Sequence, residues 1–358
     1  MLALPYGEGD HKAGHRLNFM KSCIPVLDRL GWCIGIEGKG GLGDWARDCF
    51  PVIKELGGRI TFHPPAGIAK GLGNPEKPIP DKLMEQAELV PEFIKLGLEA
   101  YTIHLAPAQA SDPPEDMGLE RYNSPIGAEQ MLEHIKRQVE PLKQLNEMMQ
   151  GILHIENVDI TNFRGGGYRV PTYLALQTGC WLDLLWLRDQ TGVKTTIDTE
   201  HLFCANNVLR REEDFLKLSH SSGVVPEVMH DLAEITGYWL QKDQVPAIAK
   251  DISWDRYIVL AKPNLFHFGG AYRAADDEER IMTHLPIDIR DTRQKKVLDY
   301  QLELVASGQG IGAVIEVCGK LQPDKYSEWS PRPYDDDVAK MMTYLTVINE
   351  IETLQKAK

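Results

Sequence analysis

The sequence has no CxxC pair, no long apolar run and no surplus of positive charge, and each lack excludes something. Its six cysteines lie scattered at Cys23, Cys33, Cys49, Cys180, Cys204 and Cys318, so they read as reduced, mostly buried thiols of a cytoplasmic protein. No apolar stretch approaches the roughly 20 residues that a membrane span needs. The opening MLALPYGEGDHKAGH lacks a basic start followed by a long apolar core, so no secretory signal is read there. Linkers, low-complexity tracts and short-period repeats are missing. Basic residues are in deficit, 39 Lys and Arg against 52 Asp and Glu, a net charge of −13. Electrostatically driven nucleic-acid binding is therefore not the starting expectation, although a local basic groove can sit on an acidic protein.

What is present is an ordinary globular mix over 358 residues, 43% hydrophobic and 25% charged. Short apolar runs recur eight times: LALPYG from residue 2, CIGIEG from 33, RITFHP from 59, YTIHLAP from 101, ILHIEN from 152, KTTIDT from 194, NLFHFG from 264 and AVIEV from 313. Stretches of helical period lie between them, among them 44–57, 81–97 and 127–150. A length prior of about 150 residues per domain would give two domains. Strand–helix alternation without a break in composition instead predicts one parallel (β/α)8 barrel over residues 1–358.

Two intervals exceed one helix and a turn: 157–193 and 202–263. Both follow a strand, the fifth and the sixth, so these enlarged loops belong on the C-terminal face, where barrel enzymes keep their sites. The second carries Phe215, Tyr238 and Trp239, residues suited to covering a pocket and excluding a stiff duplex.

The strand ends carry the chemistry. His63 ends the third strand, His104 the fourth, Glu156 the fifth and Asp198 the sixth, with His201 just beyond. His267 ends the seventh, His284 follows in the next loop, and Glu316 ends the eighth. A lone histidine at such a place is usually a hydrogen-bonded core residue, but a carboxylate inside VIEV is costly unless paired. Eight imidazoles and carboxylates converging on one barrel mouth form a ligand set for Zn²⁺, Mn²⁺ or Fe²⁺, and a cation offsets the cost of clustering acids.

These pieces, in this order, resemble the xylose isomerase-like TIM-barrel superfamily, and within it the endonuclease IV and UV-damage endonuclease branch. The resemblance rests on His63-Pro64, IHL at His104, IEN at Glu156-Asn157, IDTEH at Asp198 and His201, FHFG at His267, HLPI at His284 and VIEV at Glu316. It implies a first metal on His63, His104 and Glu156. It implies a second on Glu156, Asp198, His267 and Glu316, with Glu156 bridging, and a third on His201 and His284. Two or three divalent ions follow. Bridged cations about 3.5–4 Å apart suit phosphoester chemistry. Departures accompany the match. Met282 stands where endonuclease IV carries an Asp ligand, Leu265 where the UV-damage branch carries a lysine, and the loop after His63 has no DNA-probing aromatic. Asp276, Asp277 and His230 are candidate substitutes for the missing ligand.

Other residues invite weaker readings. Segment 7–15 places Glu8, Asp10, His11 and His15 near the mouth, as a solvated turn or, through His11, as a substrate contact. Glu37 and Lys39 end the second strand, where a lysine could bind an anionic substrate. RGGGYR from 164 exposes backbone amides that suit a phosphate but lacks the GK[ST] ending of a P-loop, so a lid fits equally. His154 shares a strand face with Glu156 and suits a supporting role. Arg273 is placed to clamp an anion or to lie on a surface loop.

The leading expectation is a hydrolase acting on a phosphodiester or small phosphorylated substrate through a metal-bound hydroxide, because His63 and His104 add a second metal position. The alternative is a sugar or polyol isomerase or epimerase with Glu156 and Glu316 as acid and base. An iron-dependent oxidase on the same barrel ranks third. A small molecule is expected as substrate ahead of nucleic acid, with no membrane partner, and nothing in the sequence names an oligomeric state.

Overall fold

All eight apolar runs form strands, and the strands close on one another. In chain order the strands are β1 (Leu2–Tyr6), β2 (Ile34–Lys39), β3 (Arg59–His63), β4 (Leu98–His104), β5 (Leu153–Glu156), β6 (Thr161–Phe163), β7 (Tyr168–Pro171), β8 (Lys194–Asp198), β9 (Leu265–Phe268), β10 (Gly270–Arg273), β11 (Ile281–Leu285) and β12 (Gly312–Ile315). The closed barrel runs β1-β12-β9-β8-β5-β4-β3-β2, every neighbouring pair parallel. This computed structural model describes residues 1–69, 71–105, 136–157, 161–163, 168–171, 182–201, 258, 261–273, 281–317 and 336–357.

The helices cover the barrel because their apolar residues recur at helical spacing. Helix Asp44–Glu55 buries Ala46, Cys49, Phe50 and Ile53, and helix Asp81–Lys95 buries Leu83, Ala87, Val90 and Phe93. The two meet edge to face through Phe50 and Phe93, ring centroids 5.5 Å apart. The last helix, Asp336–Lys356, returns to the first strand, where the Tyr344 hydroxyl donates to the Leu2 carbonyl oxygen at 3.0 Å. No described helix is long and apolar enough to cross a membrane.

Inside the barrel the side chains are layered. Met1, Ala3, Leu265 and Val314 form a small apolar plug at the bottom. Above it sit Thr102, His154 and Thr196, from β4, β5 and β8. The Thr102 and Thr196 hydroxyls are 3.1 Å apart, and His154 Nδ1 is 3.1 Å from the Thr196 hydroxyl. Contact between β4 and β8, which are not neighbours, places these groups in the lumen. Burial first, then Lys194 and His267, pull His154 down to about 3, so this imidazole is neutral. The next turn of side chains up, at the carboxyl ends of the strands, is the ionisable set.

Several expectations meet a different local structure. Segment 7–15 is not a turn: helix Glu8–Ala13 ends at Gly14, whose φ of 74° is left-handed, and a second helix begins at His15. The loop after the seventh barrel strand is an antiparallel ribbon of β10 and β11, with Met282 opposite Tyr272 and Ile281 opposite Arg273. In the interval after the fifth barrel strand, β6 and β7 form a second ribbon, followed by helix Leu182–Thr191. Of the expected helix 127–150, Val139–Met148 is observed, and 127–135 lie outside the described residues. So do 164–167 and nearly all of 202–263, including Phe215, His230, Tyr238 and Trp239, as well as Asp276 and Asp277.

Candidate metal centre

Parallel strands in register bring their carboxyl ends to one rim. His104 pairs with Glu156, Asp198 with His267, and Lys39 with His63. Residues far apart in sequence thus meet in a ring at the barrel mouth.

Glu156 is its hub. It is fully buried, and its Oε2 lies 2.9 Å from His63 Nε2 and 3.0 Å from His104 Nε2, which are themselves 3.2 Å apart. Its Oε1 lies 2.8 Å from His267 Nδ1. Glu316, just past β12, approaches the same His267 nitrogen at 3.6 Å. Asp198 completes a group of four with Glu156, His267 and Glu316, one ligand atom of each lying within 4.8 Å of the others. His63, His104 and Glu156 form a second such group, and Asp198, Glu200 and His201 a third.

The hydrogen bonds around the ring show which way its lone pairs face. A carbonyl oxygen can only accept, so the 2.9 Å contact of His63 Nδ1 with the Pro64 carbonyl puts the proton on Nδ1. The opposite nitrogen, Nε2, is the one directed at Glu156 and His104, which is the position from which an imidazole reaches a shared cation. His201 repeats the arrangement, with Nδ1 donating to the Asn157 carbonyl at 2.7 Å. Such outward N–H anchors are typical of imidazoles that ligate a cation through the opposite nitrogen. Asn157 also locks β5 to β8: its amide nitrogen donates to the Asp198 carbonyl at 3.1 Å, and its oxygen accepts from the Asp198 amide at 2.7 Å. Asp198 Oδ1 accepts from the backbone amides of Glu200 and His201. Oδ2 is buried, and among the described residues no hydrogen-bond donor reaches it. Crowded buried carboxylates and imidazoles, with one carboxylate oxygen left unsatisfied, are the environment that a divalent cation relieves. The donor set fits metal ions.

The titration behaviour follows from the same crowding. Burial opposes charge on His267, but Glu156, Glu37 and Glu316 outweigh it and hold the ring well above its ordinary value. Burial likewise works against ionised Glu156, yet His267 and His104 hold its carboxyl well below the usual range. Asp198 is pushed up to about 7 by burial; His201 pulls against this, and Glu156 and Glu316 add to it. His104 is lowered, by burial first.

Seven of the eight expected ligand residues are thus brought together: His63, His104, Glu156, Asp198, His201, His267 and Glu316. The eighth, His284, lies on β11, but its side chain is outside the described residues, as is that of Arg273 on β10. Glu37 and Lys39 are tied into the ring. Glu37 is fully buried, with Oε1 2.8 Å from His267 Nε2 and Oε2 2.7 Å from Lys39 Nζ, and Lys39 also pairs with Glu316. The short reach to His267 makes Glu37 the carboxylate that orients this ring. His11 packs edge-on against Tyr6, ring centroids 6.4 Å apart. Sequence reasoning missed Glu200. The signal available in IDTEH was an acid two residues past Asp198 and beside His201, at the point where β8 ends and the chain turns helical.

No protein-family model matches the sequence, and no curated protein matches it. Solved structures do. D-psicose 3-epimerase crystallised in the presence of D-fructose is 13% identical over 98% of this chain and 97% of its own, with a TM-score of 0.47. Endonuclease IV from Thermus thermophilus is 15% identical over 98% and 99%, with a TM-score of 0.44. A xylose isomerase-like TIM barrel protein from Mycobacterium smegmatis, in complex with magnesium, is 11% identical over 93% and 88%, with a TM-score of 0.45. The chain is similar to xylose isomerase-like TIM-barrel proteins, endonuclease IV and an epimerase among them, in architecture.

Proposed function

We propose that this chain is a metal-dependent hydrolase acting on a phosphodiester or a small phosphorylated substrate. The observation that carries the reading is the double use of Glu156, one oxygen against His63 and His104 and the other against His267. One carboxylate shared between two donor groups is what a pair of adjacent cations requires. Cations bound there would supply polarisation of a phosphoryl oxygen and activation of a water molecule.

The protein's own residues do the rest. His63, His104 and Glu156 hold the first position, and Glu156, Asp198, His267 and Glu316 the second. Pro64 and Asn157 fix the imidazoles of His63 and His201, and Glu37 fixes that of His267. Lys39 offsets part of the acid charge by pairing with Glu37 and Glu316. The reading takes residues 1–358 as one barrel domain and its compartment as the cytoplasm, where the free thiols of Cys23, Cys33 and Cys49 stay reduced.

A second reading, a sugar or polyol isomerase or epimerase, is favoured by one geometric fact. Glu156 and Glu316 flank the same His267 nitrogen, at 2.8 and 3.6 Å, so two carboxylates face one point as an acid–base pair would. The deciding experiment is the metal content of protein purified without added metal, joined to assays on a chromogenic phosphodiester, a sugar phosphate and free ketoses. Two or more zinc or manganese ions per chain with phosphoester cleavage support the hydrolase. One manganese or cobalt ion with ketose interconversion supports the isomerase instead. Iron with oxygen consumption overturns both in favour of an oxidase, which two imidazoles and a carboxylate also suit.

A further inference from the structure

The turn after β8 adds to Asp198 and His201, which the resemblance supplies, a carboxylate that it does not, that of Glu200. Asp198, Glu200 and His201 are all buried, and one ligand atom from each lies within 4.8 Å of the other two. His201 Nε2 is 3.7 Å from Asp198 Oδ2 and 3.8 Å from Glu200 Oε1. These gaps are too long for hydrogen bonds. They match the roughly 3–4 Å expected between two ligand atoms each about 2.0–2.3 Å from a shared ion.

Two independent observations point to a ligand. Asp198 Oδ2, fully buried, faces this point, and among the described residues no hydrogen-bond donor reaches it. Gly269, next to the seventh barrel strand, makes room for Glu200: a β-carbon there would collide with Glu200 Oε2 and stand 2.8 Å from the Glu316 carbonyl oxygen. The absence of a side chain at 269 is therefore what admits a carboxylate to the rim.

We propose that Glu200 completes the third cation position with His201 and with Asp198, which it shares with the second position, and that this third position takes an oxygen-preferring divalent ion such as Mn²⁺ or Mg²⁺. Two carboxylates and one imidazole make a harder donor set than the two imidazoles and one carboxylate of the first position, so the first and third positions differ in preference. Glu200 supplies locally the carboxylate that Met282 does not.

The test counts cations and does not depend on activity. Full-length protein is stripped with a chelator and reloaded with Mn²⁺. Bound ion is measured by elemental analysis, and free Mn²⁺ by electron paramagnetic resonance. Glu200→Gln, which keeps shape and removes charge, is expected to bind one Mn²⁺ fewer per chain, or to bind it at least tenfold more weakly, with unchanged circular dichroism and with Zn²⁺ binding retained. Gly269→Ala pushes on the Glu200 carboxylate from outside and is expected to cause the same loss. Full Mn²⁺ stoichiometry and affinity in either folded variant overturns the proposal while leaving the hydrolase reading standing, because that reading needs only the two positions joined at Glu156. Wild-type protein that holds no cation under any loading overturns both.

Discussion

The Nδ1 of His201 donates to the carbonyl oxygen of Asn157 at 2.7 Å, so a residue on the end of β5 sets the orientation of an imidazole that follows β8. The same asparagine exchanges two hydrogen bonds with the Asp198 backbone. One side chain and one carbonyl therefore align two candidate ligands that belong to a different strand. Supporting contacts of this kind make a rigid donor set out of residues that would otherwise rotate freely.

Replacing Asn157 by Ala should accordingly loosen the centre without dismantling the barrel. The buried Asp198 amide loses its acceptor, a cost of about 1–3 kcal/mol. Loss of a supporting contact lowers cation affinity by about 10–100-fold. Thermal unfolding and metal titration check the pair of effects; wild-type affinity in the variant would show that the ligands hold their positions unaided.

Glu156→Gln is expected to strip or scramble at least two cations per chain, since its two oxygens face different donor groups. Elemental analysis of the variant reads this directly. Full occupancy would rule out the bridging role.

A third prediction lies far from the centre. Arg16, buried, donates to the Pro5 carbonyl at 2.7 Å and pairs with Asp10 and Asp337, tying the first strand and its helices to the last helix. Burial works against ionised Asp337, but Arg16 and His15 outweigh it and depress its pKa below the ordinary 3.8. A depressed carboxylate contributes stability that is present above its unfolded value and lost as pH falls through the folded one. Asp337→Asn should therefore destabilise the protein by about 1–2 kcal/mol near pH 7, discounted for partial solvent screening. The gap to wild type should shrink below about pH 4. Denaturant midpoints at several pH values test this, and a gap that widens on acidification would contradict it.

On substrates, the hydrolase reading predicts better turnover of small phosphorylated molecules than of abasic duplex DNA. The sequence has a net charge of −13, which works against electrostatically driven duplex binding. Efficient incision of an abasic duplex, falling steeply with added salt, would restore a DNA-repair role.

Much of this architecture was legible in the order of residues. Strand ends are local features: the apolar runs that stop at His63, His104, Glu156, Asp198, His267 and Glu316 announce both the strand and the group at its mouth. Repeated strand–helix alternation then leaves few topologies, because parallel crossovers share one hand and place successive strands side by side. What the amino-acid order could not disclose is which donors face which. Whether Lys39 reaches out or folds back depends on Glu37 beside it and on Glu316, 277 residues further along the chain. Room for Glu200 depends on a glycine at 269, across a strand pairing that no local pattern reports. The tautomers of His63 and His201 depend on single carbonyl oxygens at Pro64 and Asn157. Hydrophobic period is a property of neighbours along the chain and survives in the sequence. Lone-pair direction, burial and charge balance are properties of neighbours in space, and only closure of the barrel creates them.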